Sequence, residues 1–73
     1  MKGSILLTGN EIKILRALES PKEARDIASE TKINKTGIYK MLHRLERTGW
    51  IVQHGTIYQL TMRGREILQS YER

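Results

Sequence analysis

Ile33-Asn34-Lys35-Thr36-Gly37-Ile38-Tyr39-Lys40-Met41-Leu42-His43-Arg44-Leu45-Glu46-Arg47-Thr48-Gly49-Trp50-Ile51 is the stretch on which the fold turns. Asn34 is a good N-cap, since its side chain can accept from an amide of the first helical turn. Gly49 fits the left-handed position that follows a helix, and apolar Trp50 lies just beyond it to pack back. The spacing therefore predicts a helix over about 35–48. At 100° per residue Ile38, Met41, Leu42 and Leu45 fall within about 100° of arc, while Thr36, Tyr39, Lys40, His43 and Arg47 occupy the opposite side. One face is core and the other is polar and basic.

Working outward, Lys32-Ile33-Asn34 reads as a brief turn with Ile33 as a core anchor. Before it, Ala24, Ile27 and Ala28 share one face of a short helix over about 24–31, and the two alanines let another helix cross closely. Two helices joined by three residues form a helix-turn-helix. Further upstream, Thr8-Gly9-Asn10-Glu11 is a capping box. Ile12, Leu15 and Leu18 follow at helical spacing with Ile14 beside them, until Ser20-Pro21 stops a helix of about 9–19. Downstream of Gly49 the period changes: Trp50-Ile51-Val52-Gln53, His54-Gly55 and Thr56-Ile57-Tyr58-Gln59-Leu60 read as a hairpin with a two-residue turn. Thr61 then caps a last helix over about 62–72, whose apolar residues are Met62, Ile67, Leu68 and Tyr71.

The 73 residues suffice for one domain, because a second core would need as many again. No internal repeat, low-complexity tract or linker interrupts residues 1–73. A domain this short buries only about 60% of its unfolded surface. The absence of cysteine excludes disulfides and thiolate metal sites. Ile5-Leu6-Leu7 is too short an apolar run for a signal peptide or a membrane span, so a cytoplasmic protein is expected. Thirteen Lys+Arg against eight Asp+Glu give a net charge of +5. Residues 32–47 hold Lys32, Lys35, Lys40, Arg44 and Arg47 against Glu46 alone, so most of the excess sits on one segment, and nucleic acid is the first partner to consider.

Three helices followed by a hairpin, with the basic helix immediately before it, is the order of a winged helix-turn-helix domain: mainly α with a small β-hairpin. From Ile33 to Ile51 the sequence resembles the helix-turn-helix of the MarR and PadR families of bacterial and archaeal regulators. Leu45-Glu46-Arg47-Thr48-Gly49-Trp50-Ile51 is similar to the close of their recognition helix. Tyr58-Gln59-Leu60-Thr61-Met62-Arg63-Gly64 is similar to their passage out of the wing. The resemblance implies a dimeric repressor or activator that places the third helix in the major groove and the wing against the backbone or minor groove. It also allows a small-molecule effector, although no residue pattern points to one, and Trp50 and Tyr58 read as packing residues. Two features depart from the family pattern. The wing tip, Gln53-His54-Gly55-Thr56, carries no Lys or Arg, and the terminal helices that many relatives use to dimerise are reduced to residues 62–73.

On this reading Lys35, Thr36, Tyr39, Lys40 and His43 are the candidates for base contacts, being on the N-terminal, outward part of the helix. Lys22, Arg25, Lys32, Arg44 and Arg47, with His54 and Thr56 of the wing, are the candidates for phosphate contacts. Gly37 costs about 1 kcal/mol relative to alanine inside a helix, and either close approach to DNA or tolerance near a helix end would explain it. His43 and His54 are the only histidines, and no nucleophile with a base partner, phosphate loop or metal-ligand spacing is visible. No enzymatic activity, cofactor or metal is therefore expected.

With His54-Gly55 as the turn, Val52 would lie opposite Ile57 and Trp50 opposite Gln59, with Ile51, Tyr58 and Leu60 facing inward. That leaves Trp50, Val52 and Ile57 needing cover, either from Ile5-Leu6-Leu7 or from a second copy of the chain. Leu6, Ile14, Leu68 and Tyr71 could extend the same homodimer contact. The expected function is sequence-specific binding of double-stranded DNA by a transcriptional regulator, and the alternative is a winged-helix module that docks proteins in a larger complex.

Overall fold

The computed structural model describes residues 7–72. In chain order the elements are α1 (Gly9–Ala17), β1 (Lys22–Glu23), α2 (Ala24–Thr31), α3 (Lys35–Thr48), β2 (Ile51–His54), β3 (Ile57–Leu60) and α4 (Met62–Glu72). The strands form one antiparallel sheet in the order β1-β3-β2. The result is a mainly helical winged helix-turn-helix.

At the start of α1 the capping box forms in both directions: the Glu11 amide donates to Thr8 Oγ1 at 3.2 Å, and the Thr8 amide donates to Glu11 Oε1 at 3.0 Å. The helix ends two residues earlier than the Ser20-Pro21 signal suggests. Its chain tightens into a turn in which the Glu19 amide donates to the Arg16 carbonyl. The Lys22 ammonium then donates to the Ala17 carbonyl at 2.6 Å, supplying a cation to the C-terminal end of the helix.

The turn between α2 and α3 uses Lys32 in the left-handed conformation, with φ of 64°. Thr31 supports it from within: its buried hydroxyl donates to the Ile27 carbonyl at 2.7 Å and accepts the Ile33 amide. Asn34 caps α3 by accepting the Gly37 amide at 2.9 Å. At the other end Gly49 has φ of 86°, its amide donates to the Glu46 carbonyl, and the Trp50 amide donates to Leu45. That pair of bonds is a Schellman motif.

Ile14, Leu15, Leu18, Ile27, Ile38, Leu42 and Leu45 are fully buried at the centre of the core. Ile51, Tyr58 and Leu60 close it from the sheet and Leu68 from α4. Thr61 is the joint between them. Its hydroxyl donates to the Gly49 carbonyl at 2.7 Å and accepts the Gly64 amide at 3.1 Å, while its own amide donates to the Trp50 carbonyl. A Cβ on Gly64 would overlap that same Trp50 carbonyl, so α4 can approach this closely only through a glycine.

Three expectations need correction. The hairpin turn is Gly55-Thr56, and the register pairs Ile51 with Leu60, Val52 with Gln59, Gln53 with Tyr58 and His54 with Ile57. Gly55 supplies the positive φ, 64°, at the first turn position rather than the second. The sheet also has a third strand: Lys22 pairs with Tyr58 and Glu23 with Ile57. Finally, Ile14, Trp50 and Leu68 are buried by the chain itself and offer no surface to a second copy. Trp50 in particular is 4% exposed and belongs to the core cluster. Of the other dimer candidates, Val52 and Ile57 are half-buried on the outer face of the hairpin. The Tyr71 ring is partly exposed, and its hydroxyl accepts the Leu7 amide at 3.0 Å. Leu6 and Ile5 lie outside the described residues, whereas Leu7 packs on the core.

Candidate nucleic-acid interface

The same caps that define α3 set the orientation of its outer face. Ile38, Leu42 and Leu45 are held in the core, so Lys35, Thr36, Tyr39, Lys40, His43, Arg44 and Arg47 are turned outward and exposed. Tyr39, 54% exposed, is a large aromatic ring placed in water among cations. Two shallow grooves run along this helix. One is lined by Lys40, His43, Arg44, Arg47 and Thr48, and the other by Gly37, Lys40, Met41 and Arg44. No carboxylate lines either of them, and Lys40, His43, Arg44 and Arg47 supply the side-chain donors an anion lying along the helix would meet. The five candidate base-contact residues thus stand together on one exposed face.

A third groove separates α3 from the wing. Its walls are Lys35 and Tyr39 of α3, Ala24 and Arg25 of α2, Glu23 of β1, and Gln53, Thr56 and Tyr58 of the hairpin. Burial pushes the Tyr58 hydroxyl above the usual tyrosine range, and the charges of Glu46 and Tyr39 push in the same direction. Tyr58 is therefore a neutral hydroxyl at the floor of the groove. Glu23 was missed at the level of sequence because its place here depends on pairing with Ile57, 34 positions away. Its Oε2 accepts the Thr56 hydroxyl at 3.5 Å, and Gln53 donates to the Gly55 carbonyl at 2.8 Å. The wing tip is thus tied to its own chain and carries an acidic neighbour.

The phosphate candidates divide. Arg25, Lys32 and Arg47 are exposed, as are His54 and Thr56 at the wing. Lys22 is not available, because its ammonium is held by the Ala17 carbonyl, by Ser20 Oγ at 2.9 Å and by Glu30 at 3.7 Å. Arg44 keeps 69% of its side chain exposed but spends one N–H on Glu11, at 3.4 Å. A Cβ on Gly37 would sit 3.3 Å from Ile33 Cγ2, so an alanine there would require that side chain to give by a few tenths of an ångström. Among the described residues there is no group of His, Cys, Asp and Glu that could hold a metal ion, and no helix long and apolar enough to cross a membrane.

Comparison with known proteins adds the following. Residues 1–62 match the family described as "Sugar-specific transcriptional regulator TrmB". No curated protein matches the chain. Among solved structures, a MarR family protein of Mycobacterium tuberculosis in complex with p-aminosalicylic acid is 26% identical, with a TM-score of 0.79 over 90% of this chain and 56% of its own. BpsR of Bordetella bronchiseptica, whose DNA binding is regulated by 6-hydroxynicotinic acid, is 20% identical, with a TM-score of 0.87 over 96% of this chain and 56% of its own. The reduced form of MarR from E. coli is 19% identical, with a TM-score of 0.83 over 88% of this chain and 50% of its own. The chain therefore spans about half the length of the solved structures it matches.

Proposed function

The chain belongs to the family of TrmB transcriptional regulators, and from that premise we propose that it binds double-stranded DNA sequence-specifically by laying α3 in the major groove. The observation that carries this reading is the exposed face of α3, where Lys35, Thr36, Tyr39, Lys40 and His43 stand together, with Lys40 and His43 lining grooves that no carboxylate borders. A helix in the major groove reads bases with its N-terminal residues. Lys40 can donate to guanine acceptors, and Thr36 and Tyr39 can meet a thymine methyl or a phosphate. Arg25, Lys32 and Arg47 flank that face with cations suited to the backbone. The wing is a lesser contact, because its tip offers His54 and Thr56 and no permanent cation.

The working form in this proposal is a cytoplasmic homodimer. The surface available to a second copy is the outer hairpin face, Val52 and Ile57, together with the exposed part of Tyr71. Two-fold symmetry would set the recognition helices about 34 Å apart and select an inverted repeat. Selection of bound sequences from random duplex DNA tests the whole reading. Enrichment of one inverted repeat is the expected result, with two chains per site by sedimentation; retention of no sequence over any other would contradict it.

A further inference from the structure

Glu11 carries a second duty that its place in a capping box does not announce. Its side chain is 4% exposed, and a carboxylate so deeply buried needs donors on both oxygens. Oε1 takes the Thr8 amide at 3.0 Å, which is the local cap. Oε2 takes Arg44 Nη1 at 3.4 Å, from α3, 33 positions along the chain. The other two ion pairs described, Arg16 with Glu72 at 2.8 Å and Lys22 with Glu30, have carboxylates that are one-third or more exposed. Among the described residues, only the Glu11 pair joins a buried anion to a cation that faces solvent.

We propose that Glu11 is a positioning residue for DNA binding: its buried carboxylate holds the Arg44 guanidinium so that the remaining N–H groups face a DNA phosphate. A guanidinium has five donors in a rigid planar fork, so anchoring one of them orients the others. Arg44 borders both grooves along α3 and shares each with Lys40, so its free edge lies where a backbone following the helix would pass. Without the anchor, a long side chain 69% exposed must be ordered at the moment of binding, at a cost of about three- to tenfold in affinity. This inference rests on the DNA reading above and names one contact within it.

A double-mutant cycle on the full chain tests it. Glu11→Gln is the informative variant, because glutamine also serves at this position of a capping box. The readout is the dissociation constant for the duplex selected by the wild type, at fixed salt, for wild type, Glu11→Gln, Arg44→Ala and the double variant. Glu11→Gln should weaken binding about three- to tenfold when Arg44 is present and leave it unchanged when Arg44 is alanine. A purely structural Glu11 would instead weaken both backgrounds equally, and that result, or binding by Glu11→Gln as tight as wild type, overturns the proposal. Should Arg44→Ala fail to fold, nitrogen-15 relaxation of the Arg44 side chain in the free protein decides. Restricted motion in wild type and free motion in Glu11→Gln is expected, and equal mobility in both would overturn it. Failure of the wild type to bind any duplex would contradict the DNA reading itself, and the relaxation comparison would still report on the Glu11–Arg44 anchor.

Discussion

The helix α3 and the wing that follows it are neighbours in sequence, and their outer surfaces are built on opposite principles. α3 is capped at both ends, buries Ile38, Leu42 and Leu45 on one face, and presents Lys35, Lys40, Arg44 and Arg47 on the other. The wing presents His54 and Thr56, ties its tip to itself through Gln53 and Gly55, and has the Glu23 carboxylate beside Thr56. Long-range attraction to phosphate scales with the number of cations brought to the backbone. In the proposed reading the helix therefore carries the DNA contact and the wing is mainly a structural flank.

The comparison presupposes that helix and wing share one frame, held at Thr61 and Gly64, and breaking that frame has the largest effect. Gly64→Ala drives a Cβ into the Trp50 carbonyl and should cost about 3 kcal/mol, the upper end of ordinary overpacking, read from the midpoint of denaturant unfolding. A change well under 1 kcal/mol would show that α4 can shift away without consequence. Next in size is Lys40→Ala, expected to lose roughly 1–3 kcal/mol on the best site and to relax preference at one base pair. Competition between the selected duplex and single-base variants measures this. Arg47→Ala should act more evenly, weakening selected and unrelated duplexes by a similar factor and reducing the salt slope by about 0.9. If Lys40→Ala and Arg47→Ala are indistinguishable in that respect, the division into base and phosphate contacts is wrong. The smallest effect belongs to the wing, where His54→Ala with Thr56→Ala should change affinity by less than about twofold, since neither residue is a lysine or arginine. A loss matching that of Arg47→Ala would restore the wing to equal standing.

The fold class was legible because its signals are local. Asn34, Gly49 and Trp50 mark the ends of α3 within a few residues of the bonds they make, and the change of period after Gly49 marks the hairpin. What was not legible depends on partners distant in sequence. The two-residue strand β1 has no alternation of its own and exists only through Tyr58 and Ile57. The hairpin register turned on whether Gly55 takes the first or second turn position, and a glycine suits both. Apolar periodicity showed that Ile14, Trp50 and Leu68 are covered, but not that this same chain covers them. In the same way, residue type marked Lys22 and Arg44 as cations without showing that the Ala17 carbonyl and Glu11 hold them. Charge and spacing locate a candidate face, whereas the freedom of each group on it is a property of the folded chain.

The most direct test of the account is the salt dependence of duplex binding, compared between wild type, a variant with Arg44 and Arg47 changed to alanine, and the His54→Ala/Thr56→Ala variant. Each phosphate neutralised contributes about −0.9 to the slope of log K against log salt. The α3 variant should therefore lose about 1.8 from the slope, while the wing variant keeps the slope of the wild type. An unchanged slope in the α3 variant, or an equal loss from the wing, would contradict the claim that α3 carries the contact.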